Sequence, residues 1–173
     1  MKHLILMRHA NAGPAADDRE RPLSAAGQSE ALQMGRALAA LSASGFRPVG
    51  ALVSPARRAQ ETLAGVRSGL RCLAGAETDE ALYLASPGQL LSRLQRLPDQ
   101  TVQLLLVGHN PGLSELAQLL VGRAEADLRL RAARGLSPAA CAALRIPAAR
   151  WRELEPGCAE LVQLVTPHLG RRD

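Results

Sequence analysis

The sequence predicts an α/β domain with three layers, in which a mostly parallel sheet lies between helices. Short apolar runs of strand length, such as residues 4–7 and 102–107, alternate with longer segments that carry helix signals. This alternation is typical of βαβ units, which build parallel sheets. A length of 173 residues is enough for one domain with a substantial core, so we expect residues 1–173 to form a single domain.

The first strand is predicted at residues 4–7, a continuous apolar run of the kind that is buried on both faces of a parallel sheet. Residues 10–22 are rich in Ala, Asp, Arg and Pro, which indicates a loop. Ser24 is a typical N-cap residue, and it predicts a helix over residues 25–43. Gly45 then suits a left-handed stop.

The second strand is predicted at residues 49–53. Ser54 is expected to cap a helix over residues 56–70, with Pro55 at its first position. The N-terminus of such a helix attracts anions through its free N–H groups and its dipole. A weaker third strand and a loop are predicted within residues 73–84.

The middle of the chain carries the clearest strand signal, at residues 102–107. Before it, Ser86 and the proline that follows predict a helix over residues 87–97. After it, Asn110 is expected to cap a helix that begins with a proline and continues over residues 111–121. Strand and helix therefore continue to alternate.

The last third is less regular. Residues 122–135 are basic and fit a helix and a loop beside the site, but the sequence leaves their structure open. Strands are predicted at residues 140–146, 151–154 and 161–165, the first two as an edge hairpin. Residues 166–173 are expected to be a frayed tail.

Composition and charge narrow the classes of partner. Apolar residues make up 47% and charged residues 21%, which is ordinary for a globular protein. The formal net charge is +5, and Lys2 is the only lysine. The arginines are scattered and aromatic residues are only 2%, so we expect no nucleic-acid surface. A positive field still favours anionic substrates or acidic partner proteins.

The spacing of the cysteines and the length of the apolar runs indicate the cellular compartment of the protein. Cys72, Cys141 and Cys158 lack the CxxC spacing of zinc sites and indicate free thiols in a reducing cytoplasm. No apolar run is long enough to span a membrane, and the short N-terminal run is not a signal peptide. We therefore expect a cytoplasmic protein without a membrane partner, a metal or a cofactor.

Two histidines stand directly after apolar runs of strand length: His9 follows Arg8, and His109 ends the second run. If both strands are parallel, both histidines lie at the carboxyl edge of the sheet, where ligands bind in open α/β folds. Neutral imidazole is a good nucleophile near neutral pH, and arginine binds two phosphate oxygens at once. Together with Arg58 and Arg21, these side chains predict phosphate chemistry rather than a structural role.

Three segments carry a resemblance to a known family. Arg8-His9 resembles the RHG signature of the histidine phosphatase superfamily, also called phosphoglycerate mutase-like. Residues 54–62, SPARRAQET, resemble its SPxxRAxQT segment, and residues 107–111, VGHNP, resemble its second histidine motif. The order and spacing of the three segments also match, so a phosphoglycerate mutase-like α/β/α fold is implied.

Within the superfamily, the short chain and residues 21–24, RPLS, look most like SixA-type phosphohistidine phosphatases. The resemblance covers residues 1–120 and becomes thinner afterwards. Two positions depart from the usual pattern. Ala10 stands where many members have glycine, and Glu61 stands where glutamine is frequent.

The resemblance implies a role for each matched residue. His9 is the nucleophile that becomes phosphorylated. Arg8 and Arg58 clamp the phosphate, with Arg21 as a third contact. His109 stabilises the transferring group from the other side. The family works without a metal or a cofactor.

The general acid is less defined by the resemblance. Larger members place a glutamate after the third strand, and Glu80 is the nearest match. Glu80 is interpreted equally well as a solvated carboxylate in a loop. Since neutral imidazole is a stable leaving group, an acid-poor site is better suited to a phosphohistidine than to an alkyl ester. The expected substrate is a phosphohistidine-bearing signalling or phosphotransfer protein. The alternatives are a small phosphorylated substrate such as a sugar phosphate, or a non-catalytic phosphate-binding domain.

Overall fold

In the computed structural model, which describes residues 1–167, seven strands form one sheet. They are β1 (Lys2–Arg8), β2 (Gly50–Val53), β3 (Gly75–Thr78), β4 (Gln103–Gly108), β5 (Val121–Ala124), β6 (Cys141–Ile146) and β7 (Ala159–Val165). Their order across the sheet is β3-β2-β4-β1-β6-β7-β5. In this part of the chain only β6 runs against the other strands, because it is antiparallel to both β1 and β7. The predicted mostly parallel sheet is confirmed.

Helices cover both faces of the sheet. They are α1 (Ala25–Ala40), α2 (Arg57–Gly69), α3 (Pro87–Gln95), α4 (Gly112–Leu120) and α5 (Ala126–Ala133). Alternate side chains of β1 enter two separate cores, with Leu4 and Leu6 on the side of α3 and α4, and Ile5 and Met7 on the side of α1 and α2. This arrangement confirms the predicted three-layer α/β/α architecture. Among residues 1–167, no helix combines the length and the apolar character needed to cross a lipid bilayer.

Of the three caps predicted from the sequence, one is confirmed and two are wrong. Ser24 accepts a hydrogen bond from the backbone N–H of the first turn of α1, and Ser86 forms a capping box at α3. Gly45 has a φ of +86°, as a left-handed stop requires. Ser54 and Asn110 do not cap α2 and α4, whose capping positions are the residues that precede Arg57 and Gly112. Ser54 and Asn110 lie instead at the carboxyl edge of the sheet, which is described below.

The predicted strand at residues 151–154 is wrong, and so is the edge hairpin. Trp151–Glu153 is one turn of 3-10 helix, closed by the Glu153 carboxylate, which accepts from the backbone N–H of Arg150. Trp151 is buried, and its indole N–H donates to the Thr101 carbonyl oxygen at 2.7 Å. The segment therefore packs over the hydrophobic core. β6 is not an edge strand, because it is paired with β1 on one side and β7 on the other.

The basic segment that the sequence left open forms β5 and α5, and β5 pairs with β7 at the edge of the sheet. The predicted frayed tail falls mostly on residues 168–173, including His168, which lie outside the described residues.

Three neighbouring parallel strands end at one edge of the sheet. Arg8 of β1 pairs with Gly108 of β4, and the last residue of β2 pairs one position earlier on β4. The residues that directly follow these strands are His9, His109 and Ser54. The sheet register therefore brings these three side chains to the same place.

Candidate active site

A cavity of about 350 Å³ opens at this edge of the sheet. Its wall consists mainly of polar and charged side chains from the strand ends, the loop after β1 and the start of α2. The lining residues are Arg8, His9, Asn11, Ala12, Asp18, Arg21, Arg58, Leu84, His109, Asn110 and Pro138. Five of the six site residues predicted from the sequence line this wall, and Glu80 is the exception.

The hydrogen bonds of His9 define its tautomer. Its Nδ1 lies 2.8 Å from the Ala10 carbonyl oxygen, which only accepts, so Nδ1 carries the proton and donates. Its Nε2 is therefore a lone pair, and it accepts from Nε of Arg58 at 3.2 Å. Burial lowers the pKa of His9 to about 4, and the charges of Arg58 and Arg8 contribute in the same direction. At neutral pH the ring presents an unprotonated nitrogen beside a guanidinium.

His109 is buried more deeply, with 3% of its surface exposed. Its Nε2 lies 2.6 Å from the Ser54 hydroxyl, and its Nδ1 lies 3.4 Å from a terminal nitrogen of Arg58. The centroids of the two imidazole rings are 5.2 Å apart, and the ring planes are inclined by 59°. Burial lowers the pKa of His109 to about 3, and its proximity to His9 and Arg58 acts in the same direction. Both rings are therefore neutral near pH 7.

We expect a direct titration to show these lowered pKa values. In an NMR titration of the imidazole nitrogens, His9 should change protonation near pH 4 and His109 near pH 3. The unfolded chain takes up these protons near the ordinary value of 6.5, so the free energy of unfolding should fall as the pH drops from about 6.5 towards 4. A His9→Gln variant assigns the signals. Titration of either ring near pH 6.5 would contradict the described burial.

Arg58 is the centre of the polar network. Its side chain is buried at the start of α2, where one terminal nitrogen donates to the Asp18 carbonyl oxygen at 2.6 Å and the other to the Asp18 carboxylate at 3.0 Å. One turn later, the Thr62 hydroxyl donates to the Arg58 carbonyl oxygen and accepts from the Ala10 N–H. This hydroxyl ties α2 to the chain directly after His9 and fixes the distance between the guanidinium and the imidazole.

Arg8 and Arg21 approach the cavity from two other sides. Arg8 donates to the Leu136 carbonyl oxygen at 3.1 Å, while its buried Nε has no protein partner among the described residues. Arg21 donates to the Gly13 carbonyl oxygen at 3.0 Å, and it lies 3.4 Å from the Asp18 carboxylate. Three guanidinium groups therefore surround one polar cavity, which is suited to binding a phosphate-sized anion.

Glu80 is the one predicted site residue that the structure does not bring to the cavity. It begins a short 3-10 turn, and its side chain is 71% exposed. Its carboxylate accepts from Arg19 at 2.9 Å. The local turn directs this carboxylate to the surface, so it is not in contact with the cavity wall.

Sequence reasoning missed Asp18, Tyr83 and Ser54. The Tyr83 hydroxyl donates to the Asp18 carboxylate at 2.6 Å, and this bond, together with Arg58, lowers the pKa of Asp18 to about 2. Nothing in the loop distinguishes Asp18 from the acidic residues beside it. Ser54 did carry a signal, since it follows a strand directly, as both site histidines do.

The cavity is not a recognisable metal site. Within residues 1–167, no three side chains of His, Cys, Asp or Glu are grouped closely enough to hold a metal ion. Its charge is instead dominated by arginine.

Comparison with known proteins places the chain in a family, although no family model matches it. An uncharacterised protein of Mycobacterium tuberculosis is 36% identical over 166 residues, which cover 93% of this chain and 99% of that protein. A solved structure of SixA from Nakamurella multipartitia, assigned as a phosphohistidine phosphatase, is 26% identical, with a TM-score of 0.79 and 96% of each chain covered. The chain belongs to the histidine phosphatase superfamily.

Other solved members of the histidine phosphatase superfamily share the fold at lower identity. The protein histidine phosphatase SixA in complex with tungstate is 24% identical, with a TM-score of 0.74 over 95% of this chain and 97% of that one. A mycobacterial glucosyl-3-phosphoglycerate phosphatase is 14% identical, with a TM-score of 0.58 over 93% and 97%. The solved relatives are phosphatases, which supports a hydrolase that acts on phosphate groups.

Proposed function

We propose that this protein is a phosphohistidine phosphatase, which transfers a phosphoryl group from a protein histidine to Nε2 of His9 and then to water. The observation that carries the proposal is the state of His9. Its unprotonated Nε2 faces the cavity, 3.2 Å from Arg58, while its other nitrogen is held by the Ala10 carbonyl oxygen. A fixed, neutral imidazole beside guanidinium groups is equipped to attack phosphorus.

In the first step, the Nε2 lone pair of His9 forms a bond to phosphorus, and the bond from phosphorus to the substrate nitrogen breaks. The departing ring keeps that electron pair, and it leaves as neutral imidazole because its other nitrogen already carries a proton. In the second step, water attacks phosphorus, the bond to His9 breaks, and inorganic phosphate is released. Arg8, Arg58 and Arg21 stabilise the negative charge on the phosphoryl oxygens, with His109 on the opposite side.

The choice of substrate rests on the acids around the cavity. Among the lining residues, Asp18 is the one carboxylic acid, and its lowered pKa keeps it ionised near neutral pH. Glu80 lies outside the wall. A proton donor for an alkoxide leaving group is therefore not in place, whereas an imidazole leaving group needs much less help. A phosphohistidine-bearing signalling or phosphotransfer protein of the cytoplasm is the partner that fits this site.

The alternative is a phosphatase for small phosphate esters. A specific observation favours it, because the fold is shared with the glucosyl-3-phosphoglycerate phosphatase. Asp18 would then have to supply the proton. This requires that the bound phosphate draws the Arg58 charge away from Asp18 and thereby raises the pKa of the Asp18 carboxyl group. The two functions differ in the leaving group and are separable by kinetics.

We expect kcat/KM for a phosphohistidine protein to exceed that for alkyl phosphate esters by about 10²–10⁴-fold, the usual contribution of a positioned acid. Aryl esters with good leaving groups should fall between the two. Phosphate release measured on all three classes checks this order. The Glu80→Gln variant should resemble the wild type, since its carboxylate is paired at the surface. Efficient hydrolysis of one sugar phosphate, lost in Asp18→Asn and absent for phosphohistidine proteins, would support the alternative.

Hydrolysis should not depend on a metal ion. The nucleophile is an imidazole, and arginine side chains supply the positive charge that a metal supplies elsewhere. We expect the same rate before and after dialysis against EDTA. A loss of activity that one divalent ion restores would show that the site has been misinterpreted.

A further inference from the structure

We propose that Ser54 is a positioning residue for His109, whose hydroxyl keeps a hydrogen bond to Nε2 while this ring moves its proton from Nε2 to Nδ1 when a phosphoryl group binds. The inference rests on the proposed function in one respect, namely that the cavity binds a phosphoryl group. It gives Ser54 a role in the site that neither the sequence motifs nor the comparisons assign to it.

Ser54 is held rigidly beside His109. It is fully buried, and its hydroxyl oxygen lies 2.6 Å from Nε2 of His109. Its backbone N–H donates to the Val107 carbonyl oxygen at 3.0 Å, and its carbonyl oxygen accepts from Gln60 at 2.8 Å. Since the main chain is fixed on both sides, the hydroxyl has little freedom except rotation of its proton. Among residues 1–167, Ser54 is the one hydrogen-bond partner of Nε2.

In the free protein the proton belongs on Nε2. The Arg58 nitrogen that lies 3.4 Å from Nδ1 only donates, so this contact requires a lone pair on Nδ1. The single proton of the neutral ring is then on Nε2 and is donated to the Ser54 oxygen. This oxygen also lies 3.4 Å from the Ala56 N–H, so it serves as an acceptor in both contacts.

A bound phosphoryl group reverses this requirement. Its oxygens only accept, so Nδ1 of His109 contributes a hydrogen bond only if it carries the proton. The ring proton then leaves Nε2 and one returns at Nδ1 by exchange with water, and the ring stays neutral throughout. Nε2 becomes a lone pair, and the Ser54 hydroxyl rotates to donate to it. A hydroxyl is able to accept in one state and donate in the other, which an alanine side chain cannot do.

The test is ¹⁵N NMR of the His109 ring with tungstate as the phosphate mimic. In the wild type we expect the proton on Nε2 without tungstate and on Nδ1 with it. In Ser54→Ala, Nε2 has no partner in either tautomer, so the ring should no longer be held in one orientation and its ¹⁵N signals in the tungstate complex should broaden. We also expect kcat for an aryl phosphate to fall about tenfold or more in this variant, with KM little changed, because a buried acceptor is left unpaired.

Ser54→Thr and Ser54→Val form a matched pair of similar volume, of which only the threonine keeps the hydroxyl. Threonine should preserve the sharp ring signals and most of kcat, and valine should lose both, so packing effects cancel in the comparison. No tautomer change with tungstate in the wild type, or the same kcat in Thr and Val or in Ser54→Ala as in the wild type, would overturn the proposal. Neither readout uses a phosphohistidine, so a failure of the proposed substrate class would be visible separately.

Discussion

Replacing His9 by alanine should reduce hydrolysis of a phosphohistidine protein by about 10⁴-fold or more, while the protein remains folded. The effect is this large because the variant has no nucleophilic atom at the position of Nε2. When catalytic residues work together, removing one of them removes most of their joint contribution to the rate. Release of phosphate measured over hours gives the residual rate. Circular dichroism and thermal unfolding show whether the fold is retained, since β1 itself keeps its apolar core residues.

The outcome that contradicts this prediction is easily recognised. A folded His9→Ala protein that works within about tenfold of the wild-type rate would mean that another group attacks phosphorus. His109→Ala is the informative companion, because its ring is 5.2 Å away and faces the same cavity. It should lower the rate without preventing formation of the phosphorylated intermediate.

Replacing Arg58 by alanine should lower kcat/KM by about 10²–10³-fold, the usual cost of removing one charge-stabilising donor from an active site. Arg58 is buried and contacts His9, so its guanidinium is already oriented before the substrate binds. Arg58→Lys should restore only part of the rate, since an ammonium group cannot reproduce the planar fork. Steady-state kinetics on one substrate checks all of these variants.

The neighbouring residue provides a matched control. Arg57 lies on the same turn of α2, but its side chain is 52% exposed and pairs with Glu61 at 2.7 Å. Arg57→Ala removes an equal charge and should leave kcat/KM close to the wild-type value. Equal losses in Arg57→Ala and Arg58→Ala would indicate a general effect of positive charge, without a specific clamp.

Much of this fold and site was predictable from the sequence because the relevant signals are local. The apolar runs that form β1 and β4 are continuous, and both end at a histidine. The rule that parallel strands share a carboxyl edge then brings His9 and His109 together without any knowledge of the helices. The cap at Ser24 and the start of a helix at Ser86 are predictable for the same reason, since capping is decided within one helical turn.

The remaining features depend on contacts between distant segments. Ser54 has the residue type of a cap, but its hydroxyl lies against a ring that is 55 positions away in the chain. Asp18 resembles its acidic neighbours until folding places Arg58 and Tyr83 beside it. Glu80 has a suitable position in sequence, but a local turn directs it to the surface. Apolar periodicity and local propensity contain no information about such pairings.

The proposed function requires that a phosphoryl group passes from a protein histidine to His9. The most direct test mixes the protein with a phosphohistidine donor protein, quenches the reaction in alkali within milliseconds to seconds, and locates the phosphate by mass spectrometry. We expect transient, acid-labile and alkali-stable phosphate on His9, which appears before free phosphate and is absent in His9→Ala. Release of phosphate from the donor with no phosphorylated His9 at any time, or with the label on another residue, would contradict it.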